Sequence, residues 1–170
     1  YPFGHGLSYT TFAYADVTAA ASGDDVTVTV QVTNTGEREG REVVQVYVSK
    51  PQSSVVRVPR ELKGFADVTL APGASATVTV VVPADRLAYW SVIDGQWVVE
   101  AGTYVVEVGA SSRDLRGTAS VELAGDEPAR TLTLSSTMGE AMQSPAFAAK
   151  LQEMMTSTFG WRASSAAAPR

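Results

Sequence analysis

The chain has 170 residues, of which 45% are hydrophobic and 18% charged, and its formal net charge at pH 7 is −5. This composition predicts a globular core in one compact domain with an appendage, and it excludes a chain disordered throughout. The absence of cysteine excludes disulfides, thiolate nucleophiles and zinc–thiolate sites. An acidic balance without a basic run argues against nucleic-acid or anionic-membrane partners, and no apolar stretch is long enough to span a bilayer.

Alternating valines predict a series of β-strands from Val26 onward. In Val26–Thr33 every second residue is valine, which places the valines on one face and polar side chains on the other. Patterns of this kind predict strands at Val26–Thr33, Glu42–Ser49, Glu61–Leu70, Ser75–Pro83, Gly102–Ala110 and Gly117–Ala124. Two shorter segments flank Ile93-Asp94-Gly95, and Asp-Gly favours a hairpin with a type I′ turn.

Seven or eight short strands with no helical stretch before residue 125 predict an all-β fold. The natural arrangement is an antiparallel β-sandwich of the fibronectin type III or immunoglobulin-like type. Tyr104, which follows a glycine at the start of a late strand, stands where a tyrosine corner would lie, with simple core packing as the alternative. We assign residues 1–13 to an interdomain seam segment and 14–124 to the sandwich.

Residues 125–170 are predicted to form an extension with one or two amphipathic helices and a frayed terminus. Thr137 and Glu140 have the spacing of a capping box, and Ser144-Pro145 is typical of a second helix start. Gly160 is a suitable stop. The predicted apolar face consists of Phe147, Leu151, Met154, Met155 and Thr158. Such a face needs another surface to cover it.

The sequence offers no convincing catalytic constellation. His5 is the single histidine, with Ser8 three residues away, so a structural role at a domain seam is favoured over catalysis. No two carboxylates stand out as a glycosidase-type pair, because each of them fits solvation or turn chemistry better. The residues considered are Asp24, Asp25, Glu39, Glu42, Asp94 and Glu107. We therefore predict no catalytic residues, no metal site and no cofactor.

Two surfaces are candidates for binding. The charged segment Arg57–Phe65 is predicted to dock on a partner surface as a rim, with Phe65 entering the core, and a ligand-binding loop is the alternative. Tyr89, Trp90 and Trp97 could form a carbohydrate-stacking platform, because aromatic faces suit the C–H surfaces of sugars. The alternative for the tryptophans is that one of them belongs to the core.

Five stretches resemble one known domain, and they occur in the same order as in that family. They are Tyr1–Phe12, Val32–Gly36, Val43–Val48, Pro59–Phe65 and Gly102–Asp114. Together they resemble the C-terminal fibronectin type III-like domain of glycoside hydrolase family 3, the β-glucosidase and β-xylosidase enzymes. The resemblance runs from residue 1 to about 124 and is most specific in the opening stretch.

The resemblance implies a non-catalytic role for this chain. Family members hydrolyse β-linked sugars with retention, using an Asp nucleophile in a (β/α)8 barrel and, in many members, a Glu acid/base in a following α/β domain. Both domains precede the fibronectin-like one, so we expect a fragment without them that is inactive alone. Whether the parent acts on glucosides, xylosides, arabinosides or N-acetylglucosaminides stays open, as does a cytoplasmic or secreted location.

The same resemblance implies that the partners are the catalytic domains of the parent glycosidase. The expected interface residues are Tyr1, Phe3, His5, Tyr9, Arg57, Arg60 and Phe65. A carbohydrate at the active-site rim is an alternative partner. In isolation, apolar surface meant for the parent should be exposed, and self-association is expected.

Overall fold

A computed structural model describes residues 1–23, 25–92, 94–126, 136–142 and 145–159. The chain divides into two compact units, Tyr1–Glu127 and Pro128–Arg170. The described part of the first unit contains nine strands and a short 3₁₀ helix at Ala84–Leu87. The strands are β1 (Phe12–Ser22), β2 (Asp25–Asn34), β3 (Gly40–Ser49), β4 (Glu61–Leu70), β5 (Ser75–Val82), β6 (Tyr89–Ser91), β7 (Gln96–Val98), β8 (Gly102–Gly109) and β9 (Leu115–Leu123).

The strands form two antiparallel sheets and a hairpin. One sheet has the order β1-β2-β5, the other has the order β4-β3-β8-β9, and β6 pairs with β7. The valines that alternate along β2, β3, β5 and β8 point inward into one core and are at most 6% exposed. Each buried valine stabilises the fold by roughly 1.5–3 kcal/mol. The predicted all-β sandwich of fibronectin type III-like class is thus confirmed.

The strand β1 was not predicted, because its alternation reverses in the middle. Phe12 and Tyr14 pack against the core before a break in the pairing register between Ala15 and Thr18. At the break, Asp16 has a φ of 52°. Beyond it Val17 packs inward, so the inward positions are three residues apart instead of two. This is a β-bulge, which hides a strand from any search for strict alternation.

The hairpin and the tyrosine corner both form. The hydroxyl of Tyr104 donates a hydrogen bond of 2.9 Å to the carbonyl of Glu100, four residues upstream, which confirms the corner. The connection between Ser91 and Gln96 has four residues, so the turn is one residue longer than the expected Ile93–Gly95. The amide of Gly95, whose φ is 64°, donates to the carbonyl of Ser91 at 2.8 Å.

The second unit contains two helices, α1 (Met138–Met142) and α2 (Pro145–Phe159). Along α2 Phe147, Leu151 and Met155 are half-buried, whereas Met154, predicted for the same face, is 54% exposed. The predicted cap at Ser144, the side chains of Glu140 and Thr158, and the stop at Gly160 lie outside the described residues. Neither described helix has the length and apolar character needed to cross a membrane.

Asn34 is a fully buried amide that ties three segments together. Its Nδ2 group donates to the carbonyls of Arg38 and Leu70, both at 2.8 Å. Its Oδ1 atom accepts from the Thr10 hydroxyl at 2.8 Å and from the Gly36 amide at 3.1 Å. One side chain therefore joins the start of β1, the turn after β2 and the end of β4.

We expect Asn34→Ala to lower the free energy of unfolding by about 3 kcal/mol, because it leaves buried backbone groups without partners. The measurement is urea unfolding followed by the circular dichroism of the sheets. Gln31→Ala, at an exposed position of the same strand, is the control and should change stability by less than about 0.5 kcal/mol. Equal urea midpoints for the two variants would contradict the role given to Asn34.

Candidate functional site

Residues 1–11, which we call the strap, are attached to the sandwich mainly through their backbone. The carbonyl of Phe3 accepts a hydrogen bond from the Ser112 amide at 3.0 Å, and the carbonyl of Gly4 accepts one from Gln45 Nε2 at 2.9 Å. At the other end, the amide of Thr35 donates to the carbonyl of Thr11 at 2.8 Å. The strap thus lies over the face of β3 that is turned away from the core.

The large side chains of the strap point into solvent. Their exposed fractions are 109% for Tyr1, 67% for Phe3, 93% for Leu7 and 94% for Tyr9. The ring of His5 stacks on that of Tyr1 with centroids 5.0 Å apart. No group of three or more His, Asp or Glu side chains in the described ranges could hold a metal ion. The sandwich therefore binds the strap mainly through the strap's backbone, and the large apolar side chains of the strap stay exposed to solvent.

The outer face of the four-stranded sheet extends this apolar surface. Phe65 lies opposite Gln45 in the β3–β4 register and is 67% exposed, and Val43 on the same face is 39% exposed. The expectation that Phe65 enters the core was wrong, because the alternation of β4 turns Gly64 inward against Val80 and Phe65 outward. We call Tyr1, Phe3, Leu7, Tyr9, Val43 and Phe65 together the docking surface.

An open cavity of about 620 Å³ lies between the strap and β3. Leu7 lines it from the strap, and Arg41 and Val43 line it from the sheet. The guanidinium of Arg41 is paired with Asp67 at 2.9 Å, and both side chains are at least half exposed. The docking surface thus has a recess beside it and a polar rim, the combination found in protein interfaces.

Arg57 is directed into the domain. Its Nη2 atom lies 3.0 Å from Glu100 Oε2, its Nη1 group donates to the carbonyl of Leu87 at 2.9 Å, and its guanidinium stands 5.2 Å from the centre of the Tyr89 ring. Only 12% of its side chain is exposed. These contacts hold the long connection between β3 and β4 against the body of the sandwich.

Arg60 lies next to the anchor of the strap. Its guanidinium makes two hydrogen bonds with Glu107, at 2.9 and 3.1 Å, and a third of 3.1 Å with the carbonyl of Ser112. Ser112 is the residue whose amide binds Phe3. Glu107, expected to be a simple solvated carboxylate, is instead the ion-pair partner of Arg60.

Glu42 is also not the turn carboxylate that was expected. It is buried, accepts a hydrogen bond from the Tyr14 hydroxyl at 2.9 Å and lies 3.5 Å from Arg116. Arg116 in turn pairs with Asp114 at 2.7 Å. Burial, and then the charge of Glu42, raise the pKa of Tyr14. Because these charges are paired within the domain, the cluster stabilises the junction of β1, β3 and β9.

The carboxylate of Glu100 receives several hydrogen bonds. Burial alone would raise its pKa, but the hydroxyls of Ser53 and Ser54, the amide of Ser54 and the charge of Arg57 outweigh it and lower the pKa to about 2. The three hydrogen bonds measure 2.6–2.7 Å. The group is therefore ionised at neutral pH, and its hydrogen bonds hold the connection between β3 and β4 in place.

Both tryptophans of the hairpin are on the surface. Trp90 is 50% exposed and Trp97 is 65% exposed, so the alternative that one of them belongs to the core was wrong. They face each other across β6 and β7 with ring centroids 5.7 Å apart and planes at 76°. Tyr89 is half-buried beneath Arg57. The three rings therefore do not form one flat platform, although both indoles are open to a ligand.

Similarity to known proteins identifies the class of domain. Residues 42–112 match the family model described as "Fibronectin type III-like domain". The chain is 46% identical over 152 residues to an exo-α-(1→6)-L-arabinopyranosidase of Bifidobacterium longum, covering 89% of this chain and 20% of that protein. It is 42% identical over 119 residues to thermostable β-glucosidase B of Acetivibrio thermocellus, covering 68% and 16%.

The solved structures agree. The family 3 β-glucosidase of Bifidobacterium adolescentis superposes with a TM-score of 0.77 at 45% identity, covering 89% of this chain and 23% of that one. The β-glucosidase DesR of Streptomyces venezuelae gives a TM-score of 0.69 at 40% identity, covering 72% and 16%. The chain therefore contains a fibronectin type III-like domain of the kind found in glycoside hydrolase family 3 proteins, and it spans about one fifth of the length of the relatives it matches.

The lowered pKa of Glu100 predicts an acid-sensitive stability. Ionised Glu100 stabilises the fold above its ordinary pKa of 4.5, and this contribution is lost as pH falls from about 4.5 toward 2. We expect Glu100→Gln to cost about 3 kcal/mol of unfolding free energy at pH 7 and much less at pH 2.5. Urea unfolding at several pH values measures this.

The control is Asp67→Asn, which breaks the exposed ion pair with Arg41 and should cost less than about 1 kcal/mol at every pH. A Glu100→Gln cost that stays the same from pH 7 to pH 2.5 would contradict the electrostatic account.

Proposed function

We propose that this chain is a non-catalytic structural domain of a family 3 glycoside hydrolase and that its docking surface packs on the catalytic domains. The observation that carries the proposal is a strap whose backbone is fixed by the sandwich while its four largest apolar side chains are exposed. Such a patch on an ordered backbone marks an interaction site. The parent's hydrolysis of β-linked glycosides is part of this proposal, supported by the β-glucosidases among the named relatives, whereas the Bifidobacterium longum relative is named for an α-linked sugar.

The energetic argument is the cost of leaving these groups in water. Burying a side chain of the size of Phe or Leu contributes roughly 1.5–3 kcal/mol. The docking surface holds six apolar side chains, so a partner that covers it would gain more than any surface ion pair supplies. By the same argument the chain without its parent should self-associate through this surface. His5 and Arg60 would act there by supporting Tyr1 and the strap anchor.

The test is a graft into the family 3 β-glucosidase of Bifidobacterium adolescentis, with this chain replacing the matching segment. Changing Tyr1, Phe3, Leu7 and Tyr9 together to Ser should lower the temperature of half-inactivation by about 5 °C or more, because several kcal/mol of interface burial is lost. The measurement is residual hydrolysis of an aryl β-glucoside after heating.

The matched control changes Val56 and Val92 to Ser, since these side chains are 103% and 85% exposed but lie outside the docking surface. This control should leave the inactivation temperature unchanged. An unaltered temperature in the strap variant, or an equal loss in the control, would overturn the proposal.

A second function, carbohydrate binding, is favoured by the exposed indoles of Trp90 and Trp97. It predicts saturable quenching of tryptophan fluorescence by cello-oligosaccharides at millimolar concentration, reduced severalfold by Trp97→Ala because stacking on an aromatic face is lost. Trp161→Phe is the control and should keep the quenching. A flat titration with the unaltered chain would reject this function.

A further inference from the structure

We propose that Gln45 and Tyr47 are positioning residues that fix the strap in its docking conformation before any partner is bound. We call the contacts of Gln45 and Tyr47 with the strap the anchor, and all of these contacts are made within this chain. Its purpose, a pre-formed interface, rests on the proposed function.

The side chain of Gln45 makes three hydrogen bonds. Its Nε2 group donates to the carbonyl of Gly4 at 2.9 Å and to the carbonyl of Ala110 at 2.7 Å, while Oε1 accepts from the Tyr47 hydroxyl at 2.6 Å. Gln45 is 7% exposed and Tyr47 is 1% exposed. Both residues lie on the outer face of β3. The amide group of Gln45 joins the strap, at Gly4, to Ala110 directly after β8.

Gly4 shows how closely the strap approaches this pair. Its φ is 76°, a conformation that favours glycine, and a Cβ added there would overlap Oε1 of Gln45 and come within 2.8 Å of the Tyr47 hydroxyl oxygen. At Gly6, two residues along, an added Cβ would meet nothing within 4 Å. In its first half the strap is therefore in tight contact with the sandwich at Gly4, directly on the Gln45–Tyr47 pair.

Further contacts hold the neighbouring residue of the strap, Phe3. The hydroxyl of Tyr47 also lies 3.5 Å from the carbonyl of Phe3, which is bound by the Ser112 amide. The carbonyl of Ser112 is bound by Arg60. Burial raises the pKa of Tyr47, with the charge of Arg60 opposing it, so the hydroxyl keeps its proton at neutral pH.

The consequence for docking is a lower entropic cost. A strap that moved freely would have to lose backbone freedom when its partner binds, and that loss would subtract from the affinity. A strap held at Phe3 and Gly4 has already lost it on folding. Its side chains Tyr1, Phe3 and Leu7 then meet the partner in one arrangement.

The experiment measures amide hydrogen exchange by NMR in the full chain, with Ser112 as the reporter because its amide binds the strap. Gly4→Ala and Tyr47→Phe should speed Ser112 exchange about tenfold, since each loosens the anchor by about one hydrogen bond. The matched controls, Gly6→Ala and Tyr104→Phe, should leave it unchanged relative to the core amides of Val30 and Val106.

Ser112 exchange that stays the same in Gly4→Ala and Tyr47→Phe, or rises equally in Gly6→Ala, would overturn the inference. If the core amides lose their protection in Gly4→Ala or Tyr47→Phe, the test is repeated with Gln45→Met, which keeps the side-chain length and removes all three side-chain hydrogen bonds of Gln45. A faster Ser112 amide combined with an unchanged inactivation temperature of the strap variant in the graft would uphold the anchor and reject the proposed function.

Discussion

Buried amides and hydroxyls that bind the backbone of distant segments are the constraint on which the rest of this domain depends. Asn34 satisfies groups from three segments, and Gln45 joins the strap to β8. The hydroxyl of Tyr104 does the same for the connection before β8, and the carboxylate of Glu100 does it for the connection between β3 and β4. A valine core is non-directional and would accept many loop paths, whereas a buried polar group is stable only when its partners are in place. These side chains therefore decide where the loops lie.

The strap is the segment on which this constraint has its clearest effect. The carbonyls of Phe3 and Gly4 are bound by Ser112 and Gln45, and the large apolar side chains of the strap are exposed on the other side. The strap thus has a polar side toward the sheet and an apolar side toward solvent. In a segment without such hydrogen bonds we would expect the opposite, because its apolar side chains would pack onto the domain. Phe65 and Val43 continue the same apolar surface on the sheet itself.

The sandwich could be predicted from the sequence because period-two alternation of valine is a direct consequence of strand geometry. Strand β1 could not, because the bulge at Asp16 reverses the alternation in the middle of the strand. Phe65 was placed inward because its neighbour Gly64 carries no side chain to show which face is buried. Gln45 passed as an ordinary outward polar residue, since its function depends on a segment 41 residues away. Long-range polar contacts leave no local pattern in the sequence, and they are what anchors the strap of the candidate site.

The strap and the hairpin differ in the kind of partner that their geometry suits. The indoles of Trp90 and Trp97 meet edge to face, so only one of them can lie flat against a given sugar ring. Tyr89 is held by the cation of Arg57 and adds little open surface. The strap presents several apolar side chains on a backbone fixed at both ends, which suits a large, complementary protein surface. The docking role therefore follows from more independent contacts than the sugar-binding role.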